Sequence, residues 1–297
     1  PIIVSAEIDK EPATSTNLQG FVQTGTPAFK PKTVDVDGTP KTISVQANSY
    51  KLVKDGAESE SLPAYKAGTS EQIGTYTINP QNGTVTFTPT DKTYTGAVAP
   101  VDVQATGSNG VKVQTTYTPS ITPVTPTKEP SATTDVQGKK QVSRIVLDTV
   151  ETDANKDKTV NFNKGAERGN NREQVELDPN TLTLLNDAGA EVPTLTTNDG
   201  KYELDKTNRT ITFTPNKNFV GPATPVKVQI KDANGTKVET TYTPTVTDVT
   251  MTSVDKESSA PQGKTQTGTP TFTVSTPDVR ITGYKMLNPT GNTKKKK

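Results

Sequence analysis

The sequence has no cysteine and no histidine in 297 residues. That removes disulfides, thiolate nucleophiles, the side chain that most often serves as a general base near neutral pH, and the commonest zinc ligands together. Missing cysteine excludes disulfide stapling but does not set the compartment. Apolar residues are scarce as well: 29% of the chain is hydrophobic and 5% aromatic, below the usual share of a globular protein. Cores built from so little must be small, so two or three small domains fit this length better than one large one. Clustered charge of one sign is also lacking. The 33 basic and 32 acidic residues nearly cancel, to a net +1, which gives no field to attract nucleic acid or an anionic membrane. No apolar run approaches the roughly 20 residues that cross a bilayer, and no charged-then-apolar leader opens the chain. The sequence reads as a soluble piece cut from a longer protein.

What the chain does have is repetition, and the repeat decides the fold question. Thr-Thr-Tyr-Thr-Pro occurs at Tyr117 and again at Tyr242, 125 positions on; Asn109-Gly110 and Asn234-Gly235 keep the same spacing, as do Gly96 and Gly221. Thr86-Phe87-Thr88-Pro89 matches Thr212-Phe213-Thr214-Pro215 at 126, a one-residue change in loop length. Gln19-Gly20, Gln137-Gly138 and Gln262-Gly263 mark three repeat starts. On this register residues 1–16 are the tail of a preceding repeat with a linker, and 17–124 are a first complete repeat. A Pro/Thr-rich linker, 125–132, leads to a second complete repeat at 133–249, and 250–297 hold a linker and the truncated start of a third. Prolines from Pro119 to Pro130 favour an extended, semi-rigid joint. The later joint, Pro244 to Ser259, has fewer prolines and is suited to pair as a strand. From about Ser258 the chain lacks its partner hairpins, so poor order or opportunistic pairing is expected there.

Within a repeat the apolar period is two. Tyr76 and Ile78, a turn through Asn79–Gly83, then Val85 and Phe87 make a hairpin with one apolar face and one face of Thr. Repeat two redraws it as Tyr202, Leu204, Ile211 and Phe213. A second hairpin runs from Val101, Val103 and Ala105 through Asn109-Gly110 to Val111, Val113 and Tyr117, with Asn-Gly supplying the positive φ of a tight turn. No stretch carries a helical period, and Pro and Gly interrupt every few residues. The fold class is all-β: tandem β-sandwich (Ig-like) domains in an extended array.

The ordered series Gly74-Thr-Tyr-Thr-Ile-Asn-Pro-Gln-Asn-Gly-Thr-Val-Thr-Phe-Thr-Pro89, Gly96, Pro100-Val-Asp-Val, Asn109-Gly110 and Thr115-Thr-Tyr-Thr-Pro119 resembles the CshA-type fibril repeat of streptococcal cell-wall-anchored surface adhesins. Repeat two carries the same frame from Thr210 to Pro225 and from Asp232 to Pro244. The resemblance implies an extracellular stalk on a bacterial cell surface, whose repeats project a separate binding region toward a host matrix or cell-surface receptor. One stretch departs from the pattern. Thr24–Pro27 and Thr267–Pro270 look like the family's opening, but repeat two has Lys139–Val146 there, so any activity beyond spacing is sought first between Lys139 and Thr197.

Candidate sites are few. Asp153, Asn155 and Asp157, near Asp148 and Glu151, alternate oxygen ligands as calcium prefers. They lack the Gly and final Glu of an EF-hand loop and have no counterpart in the first repeat, so a solvated turn is the better reading. Acidic positions do not persist between copies: Asp102 aligns with Lys227, Gly107 with Asp232, and Asp91 falls near Asn216-Lys217, a pattern of solvent-facing charge rather than of paired carboxylates for glycoside chemistry. Tyr76, Phe87 and Tyr117 alternate in phase with Val and Ile and read as core. Lys294–Lys297 read as a frayed end. Lys, Asn and acids for a crosslink between strands are plentiful, but spacing picks no pair. The sequence therefore predicts a stalk segment with no catalytic residues and no cofactor, whose partners are its neighbouring repeats. The rival reading makes the repeats themselves a binding module for a host matrix protein or glycan.

Overall fold

Alternation of Val, Ile, Tyr and Phe with Thr fixes which face of each strand turns inward. Gln72–Ile78 pairs antiparallel with Val85–Pro89, placing Tyr76 opposite Phe87. Gly200–Asp205 pairs with Thr210–Pro215 and places Tyr202 opposite Phe213. All four rings are buried. Gly74 and Gly200 occupy the same place in the two copies for a steric reason. A Cβ on Gly74 would lie 2.6 Å from the Phe87 ring and from the Thr88 carbonyl oxygen, and one on Gly200 only 2.4 Å from the Thr214 carbonyl oxygen.

The second hairpin joins Val101–Thr106 to Lys112–Thr122, and its turn differs from the tight two-residue form. Only the glycines take positive φ, Gly110 at 79° and Gly235 at 87°. The closing bonds run from Gly107 N to the Val111 carbonyl and from Gly110 N to the Gly107 carbonyl, the form of a three-residue loop with glycine in the left-handed position.

The computed structural model describes residues 6–124, 128–147, 162–168 and 171–287, and every regular element among them is a strand. None of the described residues forms a helix long and apolar enough to cross a membrane. The first repeat has two main sheets, beside the two-stranded pairs Asp9–Glu11 with Ala28–Lys30 and Lys32–Val36 with Thr39–Ile43. One is ordered Gln23–Gly25, Val85–Pro89, Gln72–Ile78, Ser61–Tyr65; the other is ordered Gly96–Ala97, Lys112–Thr122, Val101–Thr106, Lys51–Lys54, Ala57–Ser59, with Ala13–Leu18 added along Lys112–Thr122. Leu52, Val103 and Tyr117 from the second sheet and Ala64, Tyr76, Val85 and Phe87 from the first form one buried cluster, which makes the pair a β-sandwich.

The second repeat is built alike. Gln141–Arg144, Thr210–Pro215, Gly200–Asp205 and Thr194–Thr196 form its smaller sheet. Ser131–Val136, Lys237–Thr247, Val226–Asp232, Asn171–Leu185 and Phe162–Arg168 form the backbone of the larger. After it, Met251–Val254 pairs with Thr271–Val274, so the later joint does include a strand. The tilted rings of Phe272 and Tyr284 meet at 5.6 Å, and in the first repeat Phe29 and Tyr50 meet edge-on at 5.8 Å. Ile8 is buried against Ala105 and Val113, whereas Met251, its counterpart in the repeat register, is exposed.

Strands run across the joints that the prolines suggested. Residues 13–16, read as a lead-in, belong to a strand of the first sandwich. Pro119–Thr122, read as joint, complete its last strand, and Ser131 and Ala132 open a strand of the second. The two opening strands, Ala13–Leu18 and Ser131–Val136, consist mainly of Ala, Ser and Thr instead of alternating large apolar residues, so hydrophobic period alone does not reveal them.

Candidate functional site

The feature that both repeats build with most care is where the chain enters and leaves each sandwich. Ala13–Leu18, the opening strand, runs parallel to the end of the closing strand Lys112–Thr122 through six consecutive pairs, from Tyr117↔Ala13 to Thr122↔Leu18. The second repeat reproduces it from Ser131↔Tyr242 to Val136↔Thr247. Side chains reinforce both ladders at matching positions. Thr122 Oγ1 donates to the Asn17 carbonyl at 3.1 Å and Thr247 Oγ1 to the Asp135 carbonyl at 3.2 Å. Beyond the ladders, Gln19 N donates to the Thr122 carbonyl and Gln137 N to the Thr247 carbonyl, each at 2.9 Å.

A buried polar cluster sits behind each clamp. Gln23, on the edge strand of the opposite sheet, accepts a bond from Ser15 Oγ at 2.7 Å and donates from Nε2 to the Ser120 carbonyl at 3.0 Å. The Ser15 and Tyr117 hydroxyls lie 2.7 Å apart. In the second repeat Thr133 Oγ1 donates to Gln141 Oε1 at 2.5 Å, Gln141 Nε2 donates to the Thr245 carbonyl at 2.9 Å, and Thr133 lies 2.7 Å from the Tyr242 hydroxyl. One direction of donation satisfies every group: tyrosine to Ser/Thr, Ser/Thr to glutamine, glutamine to the closing-strand carbonyl. Both glutamines are buried, where an unmet amide would cost about 1–3 kcal/mol. Sequence reading singled out Gln19 and Gln137 and passed over this pair. The available signal was the recurrence of Ser/Thr eight residues before Gln at Ser15, Thr133 and Ser258; even in the third unit Ser258 Oγ donates to Gln266 Oε1 at 2.8 Å.

The tyrosines beneath the clamp are structural. Tyr76 and Tyr202 each donate at 2.6 Å to a backbone carbonyl, of Ala99 and Thr224 respectively, and each packs edge-on against the closing-strand tyrosine at 6.1 Å. Burial raises the phenols of Tyr76 and Tyr202 well above their ordinary range, and that of Tyr242 as well, against the opposing bond to Thr133. The reading of Tyr76, Phe87 and Tyr117 as core holds, since all three are buried.

The other candidates do not assemble. Asp153, Asn155 and Asp157, with Asp148 and Glu151, lie outside the described residues, as do Lys294–Lys297. Among the described residues no group of three or more acidic side chains is placed to hold a metal ion. Asp102 is exposed and Asp91 binds the backbone and hydroxyl of Thr93. Asp232, read as solvent-facing, is instead buried. Its carboxylate accepts from the amides of Asn234 and Thr236 and so shapes the turn that Gly107 makes in the first repeat.

The family described as the surface adhesin CshA repetitive domain matches residues 5–121 and 123–246. The chain belongs to this family. Each matched span ends one residue short of the last pair of its clamp, at Thr122 and Thr247, and membership makes this the repeat region of an extracellular, cell-surface adhesin. No curated protein matches the chain. Solved structures similar to it include Drosophila N-cadherin EC1-4, at 13% identity and a TM-score of 0.24 over 79% of this chain, and Sidekick-1 immunoglobulin domains 1-5, at 12% and 0.29 over 84%. The chain spans 47% and 42% of those two chains.

Proposed function

We propose that this CshA-type region is a load-bearing stalk: its repeats hold a distal adhesive region away from a bacterial cell wall, for attachment to a host cell or matrix, and perform no catalysis. The parallel pairing of opening and closing strands carries the reading. Tension enters a repeat at the beginning of the opening strand and leaves at the end of the closing strand. In a parallel pair these points lie at opposite ends of the ladder, so force slides the strands past each other and loads all their hydrogen bonds together. Bonds worth about 0.5–1.5 kcal/mol net when broken singly then resist as a set. The repeats that bear this load are set at about 6–124 and 129–247, each folding by itself. Its partners in the fibril are neighbouring repeats, and the receptor is met by other regions of the parent protein.

Stretching residues 6–247 by their ends tests this. Two separate unfolding events are expected, each releasing up to roughly 400 Å of chain at about 3.3–3.6 Å per residue, with no saturable binding of the fragment to host matrix proteins or glycans. Saturable binding would make the repeats a recognition module instead.

A further inference from the structure

We infer that Gln23 and Gln141 are the mechanical clips of their repeats: single side chains, reaching from the opposite sheet, that tie opening and closing strands together and resist their sliding. The inference rests on the load-bearing reading above and assigns the resistance to particular atoms. Each glutamine uses its two ends on two different strands. Its Oε1 takes the hydroxyl of the opening strand, Ser15 or Thr133, and its Nε2 gives to a carbonyl of the closing strand, Ser120 or Thr245. Sliding by even one residue would part both bonds at once and strand a buried amide.

The clip has its own support. Gln23 stands in a strand paired through Phe87 to Val85–Pro89, and Gln141 in one paired through Phe213 to Thr210–Pro215. Force that reaches the glutamine therefore passes into the second sheet. Tyr117 and Tyr242 cover the hydroxyl side of each cluster, and both rings are fully buried, which keeps water from replacing the bonds as they stretch. The first half of repeat two diverges in sequence from Lys139 onward, yet Gln141 within it keeps the place of Gln23, eight residues after Thr133.

The test uses the full chain held by cysteine handles at Pro130→Cys and Asp248→Cys, which flank the second clamp and leave the cysteine-free chain otherwise unlabelled. Gln141→Met preserves the length of the side chain and removes both bonds. Its rupture at fixed force is expected to be roughly 30-fold faster than wild type, the effect of two hydrogen bonds of ordinary strength. A core variant remote from the clip, Leu184→Val or Leu184→Ala, whichever matches its loss of melting temperature, should rupture at near the wild-type rate. If Gln141→Met fails to fold, Thr133→Val removes the hydroxyl alone and should speed rupture about fivefold. Rupture of the glutamine variant at the wild-type rate, or no faster than the matched Leu184 variant, overturns the clip. If the wild-type protein itself offers no more resistance to sliding than to peeling, the load-bearing reading falls whatever Gln141 does.

Discussion

A phenol buried against a carbonyl stabilises the fold only while it keeps its proton. Tyr76 donates to the Ala99 carbonyl, and burial raises its pKa above the ordinary value near 10. With rising pH the unfolded chain ionises first, at about pH 10, while the folded chain holds its proton. Stability from this group is therefore complete below about pH 10 and is lost as pH climbs toward the folded value. Tyr76→Phe should lower stability by about 1–3 kcal/mol at neutral pH, and thermal melts should show its gap from wild type narrowing above pH 10. A gap independent of pH would contradict the assignment. Gly200→Ala drives a Cβ into the Thr214 carbonyl and the Phe213 ring; overpacking of that kind costs about 1–3 kcal/mol, read as a lower melting temperature of the second repeat. At this scale the sequence showed the aromatic core, because Tyr76 and Phe87 stand out among Thr and Val. It hid Gln23 and Gln141, since glutamine in a Thr-rich strand looks the same whether it faces water or the other sheet. It also hid the burial of Asp232, whose turn is solved in the first repeat by Gly107.

Hairpins were legible and edge strands were not. Tyr76-Thr-Ile78 and Val85-Thr-Phe87 carry a period of two in large apolar residues, and the register observed follows from it. The opening strand Ala13–Leu18 turns Ala, Ser and Asn inward and buries one large apolar side chain, Leu18, at its end, so pairing and the clip fix its place together with that single apolar anchor. A practical consequence follows for repeat boundaries. A fragment of residues 17–124 lacks most of the opening strand, Ser15 and the buried Ile8, and leaves Gln23 without its hydroxyl partner. It should melt well below a 6–124 fragment, with burial of Ile8 alone worth about 1.5–3 kcal/mol. Equal melting of the two fragments would remove the opening strand from the folded unit.

Along the whole chain, the 118- and 125-residue spacings repeat clamps as faithfully as they repeat cores. A tandem β-sandwich array was readable from those spacings and the strand pattern, and the adhesin family from the resemblance of its motifs, but the way each unit meets tension was not, because parallel pairing joins residues more than a hundred positions apart. Resistance to tension turns on that pairing. The most direct measurement pulls the second repeat in two directions: by handles at Pro130→Cys and Asp248→Cys, which slide the paired strands, and at Lys139→Cys and Asp248→Cys, which peel them from one end. The clamp predicts that sliding needs several times the force of peeling. Equal rupture forces in the two directions would contradict it.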